Sequence, residues 1–287
     1  VSEATQTAVA PWFGSNRTLA LNVGRALMGC RWVGVPFAGG MSELLYLQAS
    51  TVMVGDLHDH VLNLAATAAD PTLGAALRSR LADLPFHPGT LAAAQERCHR
   101  REAELDDSWF GNVATDRPLD LDWATDYFVC AWMSRNGSAG TAGEFRAPLS
   151  VRWDAGGGDS ATRFRNAAEG LVVWQDVMRR CTFVRMDVFQ FLGNVKDQAN
   201  HGLYLDPPFP EVGDSYKHTF SEEQHRRLAE KLTTFRACKV VCRFYDHPLI
   251  RKLYSKLDWE WSHFEGRRQT HDEGPEVLLT NRREDLP

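Results

Sequence analysis

The sequence predicts an α/β protein built on a mostly parallel sheet, and three observations predict it. Short apolar runs recur and end in Gly or Asp, each is followed by a helical pattern, and the alternation is broken once by an irregular arginine-bearing stretch. Residues 31–37 (RWVGVPF) form the first apolar run; Gly39-Gly40 closes it and a helix-like stretch over 42–48 follows. Residues 51–54 read as a β-branched strand stopped by Gly55-Asp56, and the next helix spans 59–69. From 71 to 123 the chain is rich in Ala, Leu, Arg and Glu and reads as helical. Between 134 and 165 Gly, Ser and Arg dominate around Gly156-Gly157-Gly158 with little apolar period, the mark of a functional or disordered segment. The alternation resumes at Leu171. Strands are expected over 182–186 (ending in Asp187), 202–205 (ending in Asp206-Pro207-Pro208), 239–244 and 276–280, with a helix over 221–237. No internal repeat is present. These boundaries predict a main unit made of 1–70 and 166–287, with 71–165 inserted into it.

Bulk composition narrows the function classes. With 287 residues, 44% hydrophobic and 24% charged, the chain has the length and apolar content for one large domain carrying an insert. No apolar run approaches the roughly 18–20 residues that span a bilayer. Residues 1–10 lack the basic and apolar regions of a secretory signal, so the expectation is a cytoplasmic protein with no membrane partner. The six cysteines (Cys30, Cys98, Cys130, Cys181, Cys238, Cys242) are scattered. Only Cys238 and Cys242 lie close together, in a run that reads as a buried strand, and no second Cys or His pair has matching spacing. No metal site is expected, and the thiols read as reduced core residues. The net charge of −5 weighs against a nucleic-acid partner. It does not exclude one, because phosphate contacts need only a local basic face.

Three stretches carry chemistry. Asp206-Pro207-Pro208-Phe209 follows an apolar strand, and the two prolines stop the ladder and stiffen the backbone. A carboxylate and a carbonyl held rigidly beside an aromatic ring suit the grip of an exocyclic amino group on a flat base. The plainer reading, a Pro-Pro turn capped by Asp, is equally weighted for the tetrapeptide alone. Pro36-Phe37-Ala38-Gly39-Gly40 closes the first strand with glycines that let the backbone approach a ligand. Asp56 ends the second strand, where an acid can bind ribose hydroxyls or simply cap the next helix. Chance agreement of all three in this order is much rarer than any one match.

Together these stretches resemble the DNA adenine methylase family of the alpha motif order, and the resemblance runs from about residue 11 to 281. Pro11-Trp12-Phe13-Gly14-Ser15-Asn16-Arg17 resembles the family's amino-terminal cofactor element, 36–40 its cofactor loop, and Gly55-Asp56-Leu57 its acidic motif. Ser134-Arg135-Asn136-Gly137 and Gly143-Glu144-Phe145 resemble elements of the target-recognition region. Residues 215–220 and 276–281 resemble the segments after the catalytic motif Asp206-Pro207-Pro208-Phe209. The sequence departs from the family at Val35, where an acid is usual, at Pro11 and Arg17, where lysines are usual, and at Phe209, where Tyr is usual. Val35 removes a carboxylate that could support the cofactor's amino end.

The resemblance implies a Rossmann-like methyltransferase fold, S-adenosylmethionine as cofactor, and transfer of a methyl group to adenine N6 of a flipped-out base in double-stranded DNA. It implies a bacterial or phage-encoded protein, monomeric or weakly dimeric. Residues 71–165 would be the target-recognition region. Cofactor contacts would come from Trp12, Gly14, Arg17, Pro36, Phe37, Ala38, Gly39, Gly40, Asp56, Leu57, Asp187, Val188 and Asp206. Asp206 and the Pro207 carbonyl would accept from N6, with Pro208 holding the turn and Phe209 stacking on the base. DNA contacts are expected from Arg135, Asn136, Arg146, Arg152, Arg163, Arg165 and Lys217, and more weakly from Arg267 and Arg268. His225, Arg226 and Arg227 read as a solvated helix face, and the tryptophans other than Trp12 mostly as core. Cytosine N4 or an RNA adenine as acceptor, or a lapsed homologue that only binds cofactor or DNA, remain the alternatives.

Overall fold

The structure is a computed structural model that describes residues 8–105, 118–135, 138–153, 159–210, 216–264 and 275–282. Asn136, Arg267, Arg268 and the glycines at 156–158 lie outside the described residues. Among the described residues seven strands form one sheet: β1 (Trp32–Val35), β2 (Thr51–Asp56), β3 (Cys181–Arg185), β4 (His201–Leu205), β5 (Lys239–Tyr245), β6 (Trp259–Phe264) and β7 (Glu276–Asn281). Their spatial order is β3-β2-β1-β4-β5-β7-β6. The pairings β3–β2, β2–β1, β1–β4 and β4–β5 are parallel, and β7 runs antiparallel to both β5 and β6. This is a Rossmann-like α/β sheet with the expected parallel core. Its order reverses between β1 and β4, the switch point where such sheets open a crevice at the carboxyl ends of the strands.

Helices cover the sheet: α1 (Ala20–Ala26), α2 (Asp59–Ala69), α3 (Pro71–Asp83), α4 (Pro88–Glu104), α5 (Leu121–Met133), α6 (Ser160–Met178), α7 (Val188–Asn194), α8 (Glu222–Leu232) and α9 (Pro248–Leu253). Side-chain caps set many of their starts. Asp70 accepts from the Thr72 and Leu73 amides with Pro71 opening α3, and Ser221 and Gln224 form a reciprocal box at α8. Leu77 of α3, Leu91 of α4 and Tyr127 of α5 share one apolar cluster with Val33, Val54 and Trp174, so these helices and the sheet are packed around one core.

Several expectations need correction. The irregular stretch ends earlier than 165, because Asp159 caps α6 by accepting from the Thr162 amide, so Arg163 and Arg165 stand on a helix. The stretch after Gly40 is a single 3₁₀ turn, Ser42–Leu45, rather than a longer helix. Helices α1, α7 and α9, of six or seven residues, are too short to show a period. Strand β6 is a half-exposed edge whose aromatic and polar residues break a simple apolar run. His225 of α8 is fully buried, against the expected solvated face, and Trp153 is 96% exposed where a core residue was expected. No described helix is long and apolar enough to cross a membrane.

Candidate active site

A cavity with about 930 Å³ of free space, part of it open to solvent, lies at the carboxyl ends of β1 to β4. Asp187 follows β3, Asp56 ends β2, Pro36 to Gly40 follow β1, and Asp206 follows β4; all of them line it. The amino-terminal element closes one wall with Trp12 and Gly14, and Leu57, Val188, His218 and Phe220 complete others. Sequence stretches nearly two hundred residues apart thus meet at one strand edge. Three of the residues expected to serve catalysis or the cofactor stand away from it. Pro207 and Phe209 do not line the cavity, and neither does Arg17.

The glycine turn is held by the acid beside it. Gly39 has φ +46°, and its amide donates to Asp56 Oδ2 at 3.0 Å; the His58 amide donates to Oδ1 at 2.9 Å. Burial pushes the Asp56 carboxyl above its ordinary range, and these bonds and His58 pull it back. The Leu57 amide acts on the same carboxylate, which leaves about one of its four acceptor positions for a ligand hydroxyl. Asp187 spends one oxygen on the Phe189 amide, 2.8 Å away, at the start of α7. Met41, two residues past Gly39, sits in the left-handed region at φ 59°, a conformation costing about 1–2 kcal/mol for a side chain of this kind. The strain turns the chain sharply so that Ser42 and Glu43 face the cavity.

Asp206 belongs to a buried ionic cluster that sequence reading missed. Arg243, in the middle of β5 and 3% exposed, donates through one guanidinium nitrogen to both Asp206 oxygens at 3.1 and 3.3 Å and to the Gly14 carbonyl at 2.9 Å. Its Nε donates to Glu276 of β7 at 3.0 Å. Tyr204 donates to Asp206 Oδ2 at 3.2 Å and accepts in turn from Asn16. Burial disfavours the Arg243 charge, and Asp206, Tyr204 and Glu276 outweigh it, so the guanidinium is held charged. Burial likewise pushes the Asp206 carboxyl up while Arg243 draws it down. A carboxylate offers about four acceptor positions. Arg243 and Tyr204 take three, which leaves one on Oδ1 for a substrate donor. The one signal in the sequence was an arginine inside the apolar run KVVCRFY.

Phe209 packs inward. Its ring is 8% exposed, meets Tyr245 edge-on at 4.6 Å and lies under the Arg243 guanidinium at 5.2 Å. The aromatic side chains that do line the cavity include Trp12, Phe13, Phe37, Tyr216 and Phe220, with Phe37 and Phe220 5.6 Å apart and edge to face. Trp12 is fixed by Gly140, whose φ of +81° and missing side chain let the indole approach; a Cβ there would stand 2.4 Å from the ring. Gly140 in turn donates to Glu144 Oε2 at 2.9 Å, and Glu144 Oε1 meets His58 Nε2 at 2.7 Å, both side chains buried. The segment after Asp56 and the segment 140–144 are therefore bolted together.

The DNA-contact candidates divide into two groups. Arg135, Arg146, Arg152 and Arg165 are exposed. Arg163 is half-buried, and burial followed by its neighbours Arg152 and Arg17 disfavours its charge, which places three guanidinium groups from three segments together. Lys217 is largely buried and paired within the protein. It pairs with Glu102, lies 5.8 Å from the Phe145 ring centre, and burial pushes its ammonium down to about 8. The described cysteines are unbridged, and no group of three or more metal-ligating side chains occurs among the described residues.

No protein-family model and no curated protein matches the chain. Among solved structures, one match is SMU.472, a provisionally assigned methyltransferase complexed with SAH, at 11% identity, 74% coverage of this chain and a TM-score of 0.27. The match covers 57% of that chain. A likeness this slight carries no argument about fold or chemistry.

Proposed function

We propose that the protein is an S-adenosylmethionine-dependent methyltransferase acting on adenine N6 in double-stranded DNA. The observation that carries this reading is that Asp206 lines the same cavity as the glycine turn, Asp56 and Asp187. A cofactor along the strand ends and an amino group at Asp206 would then meet directly. Neighbouring strands lie about 4.8 Å apart, so the edge from β3 to β4 spans roughly 14 Å, the reach of an adenosine joined to a short amino acid. Asp187 and Asp56 suit the nucleoside end, Phe37 and Phe220 offer faces to its base, and the turn after Gly40 suits the amino-acid end. The bound cofactor would supply a methyl group activated on a sulfonium.

The chain's own residues would do the rest by placement. Asp206 Oδ1 accepts from the exocyclic amino group and keeps the nitrogen lone pair directed at the methyl carbon. Arg243 favours the ionised form of Asp206 against the burial that opposes it. No enzyme nucleophile is required. The arginines Arg17, Arg152 and Arg163 would meet phosphates, and the exposed Trp153 would wedge against an unstacked base step as the target base leaves the duplex. An acidic total charge is compatible with such a local basic face.

The test is transfer of a radiolabelled methyl group from S-adenosylmethionine to mixed-sequence duplex DNA. The wild-type protein transfers label, and Asp206→Ala loses about 10²–10³-fold in rate, the scale of removing one charge-stabilising group. Label-free DNA with wild-type protein that still binds S-adenosylhomocysteine would replace this reading with a cofactor-binding module.

A further inference from the structure

We infer that Glu43 is the carboxylate that holds the ammonium group of the cofactor's amino-acid end, in place of the acid that Val35 lacks. The inference rests on the cofactor reading above. Val35 itself is fully buried in the apolar core and does not line the cavity, so nothing at that position can serve. Glu43 does line it. It is 3% exposed, and its Oε1 is buried with no hydrogen-bond partner, an arrangement costly to keep unless a ligand completes it. The strained Met41 and the 3₁₀ turn that follows put it there, next to Ser42 and within Coulombic reach of Asp206 and Arg243. Around that point three carboxyl groups, Glu43, Asp206 and Glu276, share the single guanidinium of Arg243. The cluster lacks positive charge, and an ammonium beside a sulfonium supplies it.

Protonation follows the same logic. The groups in Coulombic reach of Glu43 include Tyr204 on β4, Asp206 just after it, Arg243 on β5 and Cys181 on β3. Burial and then Asp206 push its carboxyl up to about 8, against its own backbone amide and Arg243. At pH 7 the Glu43 carboxyl by itself is mainly protonated. An arriving ammonium favours the ionised form, so binding expels a proton.

The experiment is calorimetric titration with S-adenosylhomocysteine and with 5′-methylthioadenosine, which lacks the amino-acid end, at pH 7 in buffers of different ionisation enthalpy. The wild-type protein should bind S-adenosylhomocysteine with release of close to one proton and 5′-methylthioadenosine with none. Glu43→Gln should bind S-adenosylhomocysteine about 10- to 100-fold more weakly without that proton, and 5′-methylthioadenosine within about threefold of wild type. Equal S-adenosylhomocysteine affinity in both proteins, or no proton released by the wild type, overturns the role of Glu43 while leaving the cofactor reading intact. The wild-type measurement stands even if the variant fails to fold. Failure of the folded wild type to bind either nucleoside overturns the cofactor reading, and the role of Glu43 with it.

Discussion

In the cavity, Asp56 and Asp206 end their strands and are bonded on both oxygens to backbone amides or buried side chains. On the neighbouring face, Arg146, Arg152 and Trp153 stand in solvent on a stretch with little regular structure. The first region is organised before any ligand arrives, which suits chemistry that depends on placement. The second keeps charge and apolar surface exposed at some cost in solubility, which suits a large polyanion that supplies its own shape. The difference teaches where substitutions should act: cavity variants should lose stability and transfer together, and face variants should lose DNA binding alone.

The largest effect is expected at Arg243. Arg243→Met leaves Asp206 and Glu276 buried without their shared cation, so unfolding should become easier by about 3–5 kcal/mol in a denaturant titration. A loss below about 1 kcal/mol would mean that the cluster is not the rigid support described. Trp153→Ala should come next and separate the regions most cleanly. Its ring touches solvent almost everywhere, so stability should stay within about 0.5 kcal/mol, while duplex affinity measured by anisotropy falls by about 1–3 kcal/mol. A destabilised Trp153→Ala protein with unchanged DNA affinity would reverse the comparison. Smallest is Arg152→Ala, which should weaken binding severalfold across sequences and flatten the log–log salt dependence by about 0.9, the signature of one phosphate contact. An unchanged salt slope would remove Arg152 from the phosphate-binding face.

The comparison also explains what the sequence made legible. Strand ends with Gly or Asp are local features, so β1 to β5, the glycine turn, Asp56, Asp187 and Asp206 could be read from short windows. The ionic cluster could not. Arg243 meets Asp206 across a parallel pairing and Glu276 across an antiparallel one, and neither register is written in the local pattern. Glu43 looked like one polar residue in a helical stretch, and only the 3₁₀ turn after Met41 gives it a direction. Phe209 is expected to stack on the base, but its ring packs against Tyr245 and Arg243 and does not line the cavity. Lys217 and His225 look solvent-bound by composition; packing against Glu102 and Phe145 buries most of the first, and packing against Phe220 and Phe244 buries the second. The arginine cluster draws on residues 17, 152 and 163, the first about half the chain away from the other two.

The most direct test of the central claim is mass spectrometry of nucleosides from duplex DNA incubated with the protein and S-adenosylmethionine. The account predicts N6-methyladenine, absent when Asp206→Ala replaces the wild-type protein. N4-methylcytosine would keep the cavity and the donor but overturn the base assigned to Asp206, and no methylated base in DNA or RNA from a folded preparation would contradict the account.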